Sequence, residues 1–103
     1  MLTFFQTRKT QLKALEVKPE AVALTLVDGR RRRLTPSVFI QVTHAETKGD
    51  IETRHITLHS KRGLVSGALI NWLKEYLREK GWSFQGVMVN EPKTGNWEAI
   101  FRK

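Results

Sequence analysis

The chain has 103 residues, 40% of them hydrophobic, and its 18 Lys and Arg against 10 Asp and Glu leave a formal charge of +8 at pH 7. That length supports one ordinary core and excludes two domains of usual size, so residues 1–103 are expected to form a single domain. With no cysteine there is neither a disulfide framework nor a thiolate metal site, a reducing cytoplasm is the expected location, and no apolar run approaches the roughly 18 to 20 residues of a membrane-spanning helix.

The N-terminus MLTFFQTRKTQ carries its charges after its short apolar patch, the reverse of the order in a secretory leader. The segment LKALEV then alternates, breaks at KPE and resumes as AVALTLV, which reads as a hairpin pairing Val17 with Val22 and Leu15 with Leu24. A helix over Leu2 to Val17 is the alternative, because Leu2, Phe5, Leu12 and Leu15 partly fit helical spacing.

Asp28 and Gly29 form a dipeptide suited to the positive φ angles of a two-residue hairpin turn, so the chain is expected to reverse there into Arg30, Arg31, Arg32 and Arg33. In a strand, Arg30 and Arg32 point one way while Arg31 and Arg33 point the other. All four could then meet one ligand only from a hairpin tip that projects beyond the core. Pro36, lacking an amide donor, marks an edge, bulge or break.

After Pro36, SVFIQVTHAET places Val38, Ile40 and Val42 on one face, and IETRHITLHS places Ile56 and Leu58 on one face. A three-residue loop of Lys48, Gly49 and Asp50 pairs Val42 with Ile56 and Ile40 with Leu58. The second face of this pair carries Phe39, Gln41, Thr43, His55, Thr57 and His59, with His44 on the side opposite His55 and His59. Residues four apart in a strand are about 13 Å apart along its axis, too far for His55 and His59 to share an ion, so no metal site is expected.

In LVSGALINWLKEYLREKG, the residues Val65, Ala68, Leu69, Trp72, Leu73, Tyr76 and Leu77 recur at the spacing of one helical stripe, and Gly81 supplies the stop. The last stretch, WSFQGVMVN and NWEAIFRK, reads as a hairpin around EPKTG. The expected fold is therefore α+β: an antiparallel sheet of about five to six strands, packed on one face by a single long amphipathic helix, with strands preceding and following it.

Charge is unevenly distributed. No acidic residue occurs in 1–15, 29–45 or 53–74, and those windows hold the arginine run together with Lys61 and Arg62. Lys61 and Arg62 precede the long helix, where a positive macrodipole end would favour an anion; with Ser60 or Ser66 as cap and free amides near Gly63 and Leu64 they suggest a phosphate seat. That stretch lacks the Walker pattern, and the chain offers no G-x-S-x-G elbow, thiol nucleophile or enforced carboxylate pair, so neither an enzyme nor a cofactor is expected.

The expected partner is nucleic acid, DNA or RNA with low sequence specificity, bound through Arg30, Arg31, Arg32, Arg33, Lys61 and Arg62. The competing expectation is a protein-interaction module or homodimer using the second sheet face or an edge strand, supported by Phe39 and an exposed Ile70. Trp82 and Trp97 could stack on a base, although core packing is the ordinary role of Trp.

Overall fold

The computed structural model describes residues 15–103. Its elements run α1 (Pro19–Asp28), β1 (Arg32–Arg33), β2 (Val38–Lys48), β3 (Ile51–Ser60), α2 (Gly67–Glu79), β4 (Ser83–Glu91), a short 3-10 turn (Pro92–Thr94) and β5 (Asn96–Arg102). Among the described residues the fold is α+β, with one five-stranded antiparallel sheet in the order β1-β2-β3-β5-β4 and the two helices α1 and α2. Among the described residues no helix is long and apolar enough to cross a membrane. The strand-or-helix alternative for the first dozen residues, and the cations Arg8, Lys9 and Lys13, lie outside the described residues.

In place of a single long helix, the described residues hold the 13-residue α2 within the expected segment and a 10-residue α1 that was not expected. AVALTLV is helical, not a strand, and the hairpin around KPE does not form. Pro19 occupies the first turn, where its missing amide costs nothing, and Gly29 closes the helix in the left-handed conformation at φ 71°. Helical winding buries Ala21, Val22 and Thr25 while leaving Leu24 and Val27 exposed, an outcome that strand alternation of Val22, Leu24 and Leu26 would not allow.

The helix α2 follows the expected stripe at Leu69, Trp72, Leu73 and Leu77, which are buried, but Ala68 is exposed and Ile70 is buried in its place; the Ser66 hydroxyl accepts a hydrogen bond from Leu69 N (3.1 Å) as N-cap. Ile70, expected on the exposed side, belongs to the core. Both helices pack with one sheet face, where Val38, Ile40, Ile56, Leu58, Trp97, Ala99 and Phe101 join them in a single cluster. Trp72, Trp82 and Trp97 are all buried, so Trp82 and Trp97 offer no exposed ring for base stacking.

The β2–β3 ladder has the expected pairs Ile40 with Leu58 and Val42 with Ile56, but by a different route. The connection is the two-residue turn Gly49–Asp50, with Lys48 opposite Ile51, and Gly49 stands first in the loop at φ 62°, a positive φ that favours glycine. A two-residue turn alone would put the upper strand one residue out of step. The bulge between Val42 and His44 absorbs that residue and restores the register from Val38 to Val42. It also turns His44 onto the face of His55, with ring centroids 4.8 Å apart, so the expected separation of these histidines is corrected.

Candidate functional site

The arginine run does not lead out of a tight hairpin. Asp28 and Gly29 terminate α1: Asp28 Oδ1 accepts from Arg30 N (2.9 Å), and the buried Thr25 hydroxyl donates to Arg30 O (3.2 Å), turning the chain back along the helix it has just left. Lys18 N donates to Leu34 O (3.0 Å), so the arginine segment is tied to α1 at both ends. Only Arg32 and Arg33 form a strand, opposite Ile40 and Phe39 at the edge of the sheet. The projecting ribbon is thus corrected to a short edge strand, whose own turn at 34–37 is held by Thr35 Oγ1 accepting from Val38 N (3.1 Å).

Alternation along this segment separates the four side chains. The Arg32 guanidinium turns to Asp28, with which it forms an ion pair. The Arg30 amide bonded to its carboxylate, and then the charge and hydrogen bond of Arg32, hold Asp28 below the usual carboxylate range against an opposing effect of desolvation. Arg31 and Arg33 turn the other way, onto the sheet face that neither helix covers. There the Arg31 guanidinium carbon stands 4.0 Å from the centre of the Phe39 ring and that of Arg33 5.6 Å from it.

A third cation reaches the same ring. Lys61 Nζ lies 4.8 Å from the Phe39 centroid, placed there by the turn after β3, in which Lys61 N donates to Ser37 O (2.8 Å) and Gly63 N to Ser60 O (3.3 Å). Among the described residues no ion pair involves Arg31, Arg33 or Lys61. Each cation–π contact is worth roughly 0.5 to 1 kcal/mol at an exposed site, which is enough to orient these side chains without neutralising them.

Lys61 and Arg62, expected side by side at a helix N-terminus, part company. Ser66 is the cap, Ser60 is buried and accepts from Arg62 N (3.2 Å), and the amides of Gly63 and Val65 are committed to Ser60 O and Pro92 O. The expected phosphate seat at Gly63 is therefore engaged within the turn. Arg62 instead borders a shallow groove with Thr35, Pro36, Ser66 and Leu69.

No family model, no curated protein and no solved structure matches the chain. What the site can do must follow from its chemistry.

From Phe39 the open face continues as a polar row. Gln41 stands opposite Thr57, Phe39 opposite His59, Thr57 opposite Glu98, and His59 opposite Asn96. His59 Nδ1 and Asn96 Oδ1 are 3.1 Å apart, and the Thr57 hydroxyl donates to Glu98 Oε1 (3.0 Å), whose other oxygen lies 3.7 Å from His55 Nδ1. Among the described residues no group of three or more His, Asp or Glu could hold a metal ion. The face offers cations at its β1 edge, one aromatic ring among them, and donors and acceptors toward β5.

Sequence patterning marked Phe39 as an apolar residue on a polar face and the arginines as a charge run, without joining the two. The signal that could have joined them is the parity of Arg31, Arg33 and Phe39 once β1 pairs with β2. The helical reading of 19–28 was also available, from Pro at the first position and Gly one past the last.

Proposed function

We propose that this chain is a small non-enzymatic nucleic-acid-binding protein that neutralises phosphates at the β1 edge of its open sheet face. One observation carries the reading: Arg31, Arg33 and Lys61 converge on Phe39, and among the described residues none of them is paired with a carboxylate. Uncompensated guanidinium groups favour phosphate oxygens, with which they form bidentate charge-assisted hydrogen bonds. Arg30 and Arg62 flank this cluster in sequence, while Arg32, already paired with Asp28, is a poorer contributor. The proposed binding is of low sequence specificity and suits DNA or RNA, and a chain without cysteine suits a reducing cytoplasm.

The test is fluorescence anisotropy with labelled oligonucleotides over a salt series. Each phosphate contact contributes about 0.7 to 0.9 to the slope of log K against log salt. Replacing Arg31, Arg33 and Lys61 together by Ala is expected to lower that slope by about 2. Arg32→Ala is expected to change it much less, because a charge held by Asp28 releases fewer counterions. Failure of the wild-type protein to bind any oligonucleotide at low salt, or an unchanged slope in the triple variant, would remove the reading.

A protein-interaction role, including a homodimer, has one observation in its favour: β4, the outer strand among the described residues, exposes Phe84, Val87 and Met88. Its two bulges interrupt that strand, which weakens the case.

A further inference from the structure

The geometry points to single-stranded nucleic acid as the ligand of this face, with one base stacked on the Arg31–Phe39 pair and phosphates at Arg33 and Lys61. The inference rests on the nucleic-acid reading above and narrows it.

Arg31 is exposed, and at 4.0 Å from the Phe39 centroid its guanidinium is in stacking range of the ring. A planar cation backed by an aromatic presents a platform of the kind on which unpaired bases stack. Bases inside a duplex are already stacked on one another and cannot reach it. The footprint leads to the same choice: all three cations stand within 5.6 Å of one ring centre, which matches one or two nucleotides of one strand. A duplex presents two backbones across grooves about 6 to 12 Å wide and is entered by a helix or ribbon. Here both helices lie behind the sheet, and the arginine segment is tied down between α1 and β2.

The far side of the face adds direction. Glu98 sits in the middle of the sheet beside Thr57 and His55, where its carboxylate would repel a phosphate yet accept a hydrogen bond from an exocyclic amine of a base. Gln41, Thr57 and Asn96 line the same row. The sugar-phosphate chain therefore follows the β1 edge, and base edges point across the sheet toward β5.

The experiment compares three labelled polyanions on the full chain at one salt concentration: an unstructured single strand, a duplex of equal length, and inorganic polyphosphate. The variants are Arg31→Lys, which keeps the charge and removes the planar guanidinium, and Phe39→Leu, which keeps an apolar residue and removes the ring. Circular dichroism and thermal melts confirm that each is folded. The single strand is expected to bind about tenfold more tightly than the duplex, and each variant to lose about tenfold for the single strand while polyphosphate binding is unchanged. Equal binding of single strand and duplex, or equal losses for single strand and polyphosphate, overturns this inference and leaves the nucleic-acid reading standing. Absence of binding to both nucleic acids overturns both.

Discussion

Gly95 follows the 3-10 turn at φ 89°, buried where the β4–β5 connection meets the turn after β3. Gly95 O accepts from Ser60 N (2.9 Å) and Pro92 O from Val65 N (2.8 Å), so the two loops are laced together. A β-carbon at position 95 would stand 2.7 Å from Ser60 O and 3.1 Å from Gly63 Cα, both backbone atoms that cannot swing aside. Gly49 provides the matched control, since its φ of 62° is also left-handed but nothing lies within 4 Å of its added β-carbon. Left-handed backbone costs a non-glycine residue roughly 1 to 2 kcal/mol, a penalty that Gly49→Ala and Gly95→Ala share. Only Gly95→Ala adds overpacking, typically another 1 to 3 kcal/mol. At about 4 to 8 °C per kcal/mol for a domain of this size, Gly95→Ala is expected to melt well below Gly49→Ala. Thermal and urea unfolding of both variants measures the gap. Because Lys61 is carried by the loop that Gly95 supports, Gly95→Ala is also expected to weaken oligonucleotide binding, and Gly49→Ala to leave it unchanged. Equal melting temperatures for the two variants would refute the packing argument.

The helical winding of α1 is tested by a pair of truncations: Val22→Ala is expected to cost roughly 1 to 3 kcal/mol, because Val22 is fully buried. Leu24→Ala, at a position 49% exposed, is expected to stay within about 0.5 kcal/mol. Comparable losses in urea unfolding would restore the strand reading, which puts both residues on one face. A third expectation concerns pH: the Arg30 amide and Arg32 depress the Asp28 carboxyl in the folded state, so its contribution to stability is present above the ordinary carboxylate range and is lost as pH falls through the depressed value. The excess melting temperature of wild type over Asp28→Asn should therefore be largest near neutral pH and shrink as acid protonates Asp28. A constant difference down to about pH 2 would contradict that linkage.

Much of the architecture was legible from pattern alone, for a physical reason that differs by element. In α2, burial selects one stripe, so Leu69, Trp72, Leu73 and Leu77 report their own winding. In β2 and β3, burial of one face fixes the pairing of Ile40 with Leu58 whatever the turn does, and the structure reaches that register by a two-residue turn plus a bulge. The segment 19–28 was ambiguous because Asp28 and Gly29 satisfy two structures with one backbone preference: a left-handed glycine serves a hairpin turn and a helix stop equally. Composition could not choose between them, and the hydrogen bonds of Asp28 and Thr25 to the Arg30 backbone are visible only in three dimensions.

By itself, the sequence determined the basic charge, the α+β class, the amphipathic helix and the apolar face of the central hairpin, because each follows from composition or from periodicity within one segment. Only the tertiary structure decided that β5 inserts between β3 and β4, that Arg32 turns to Asp28, and that Arg31, Arg33 and Lys61 meet over Phe39. Those outcomes depend on contacts between segments far apart in the chain. Local periodicity says which face a side chain takes, and only the packed fold says what stands on that face beside it.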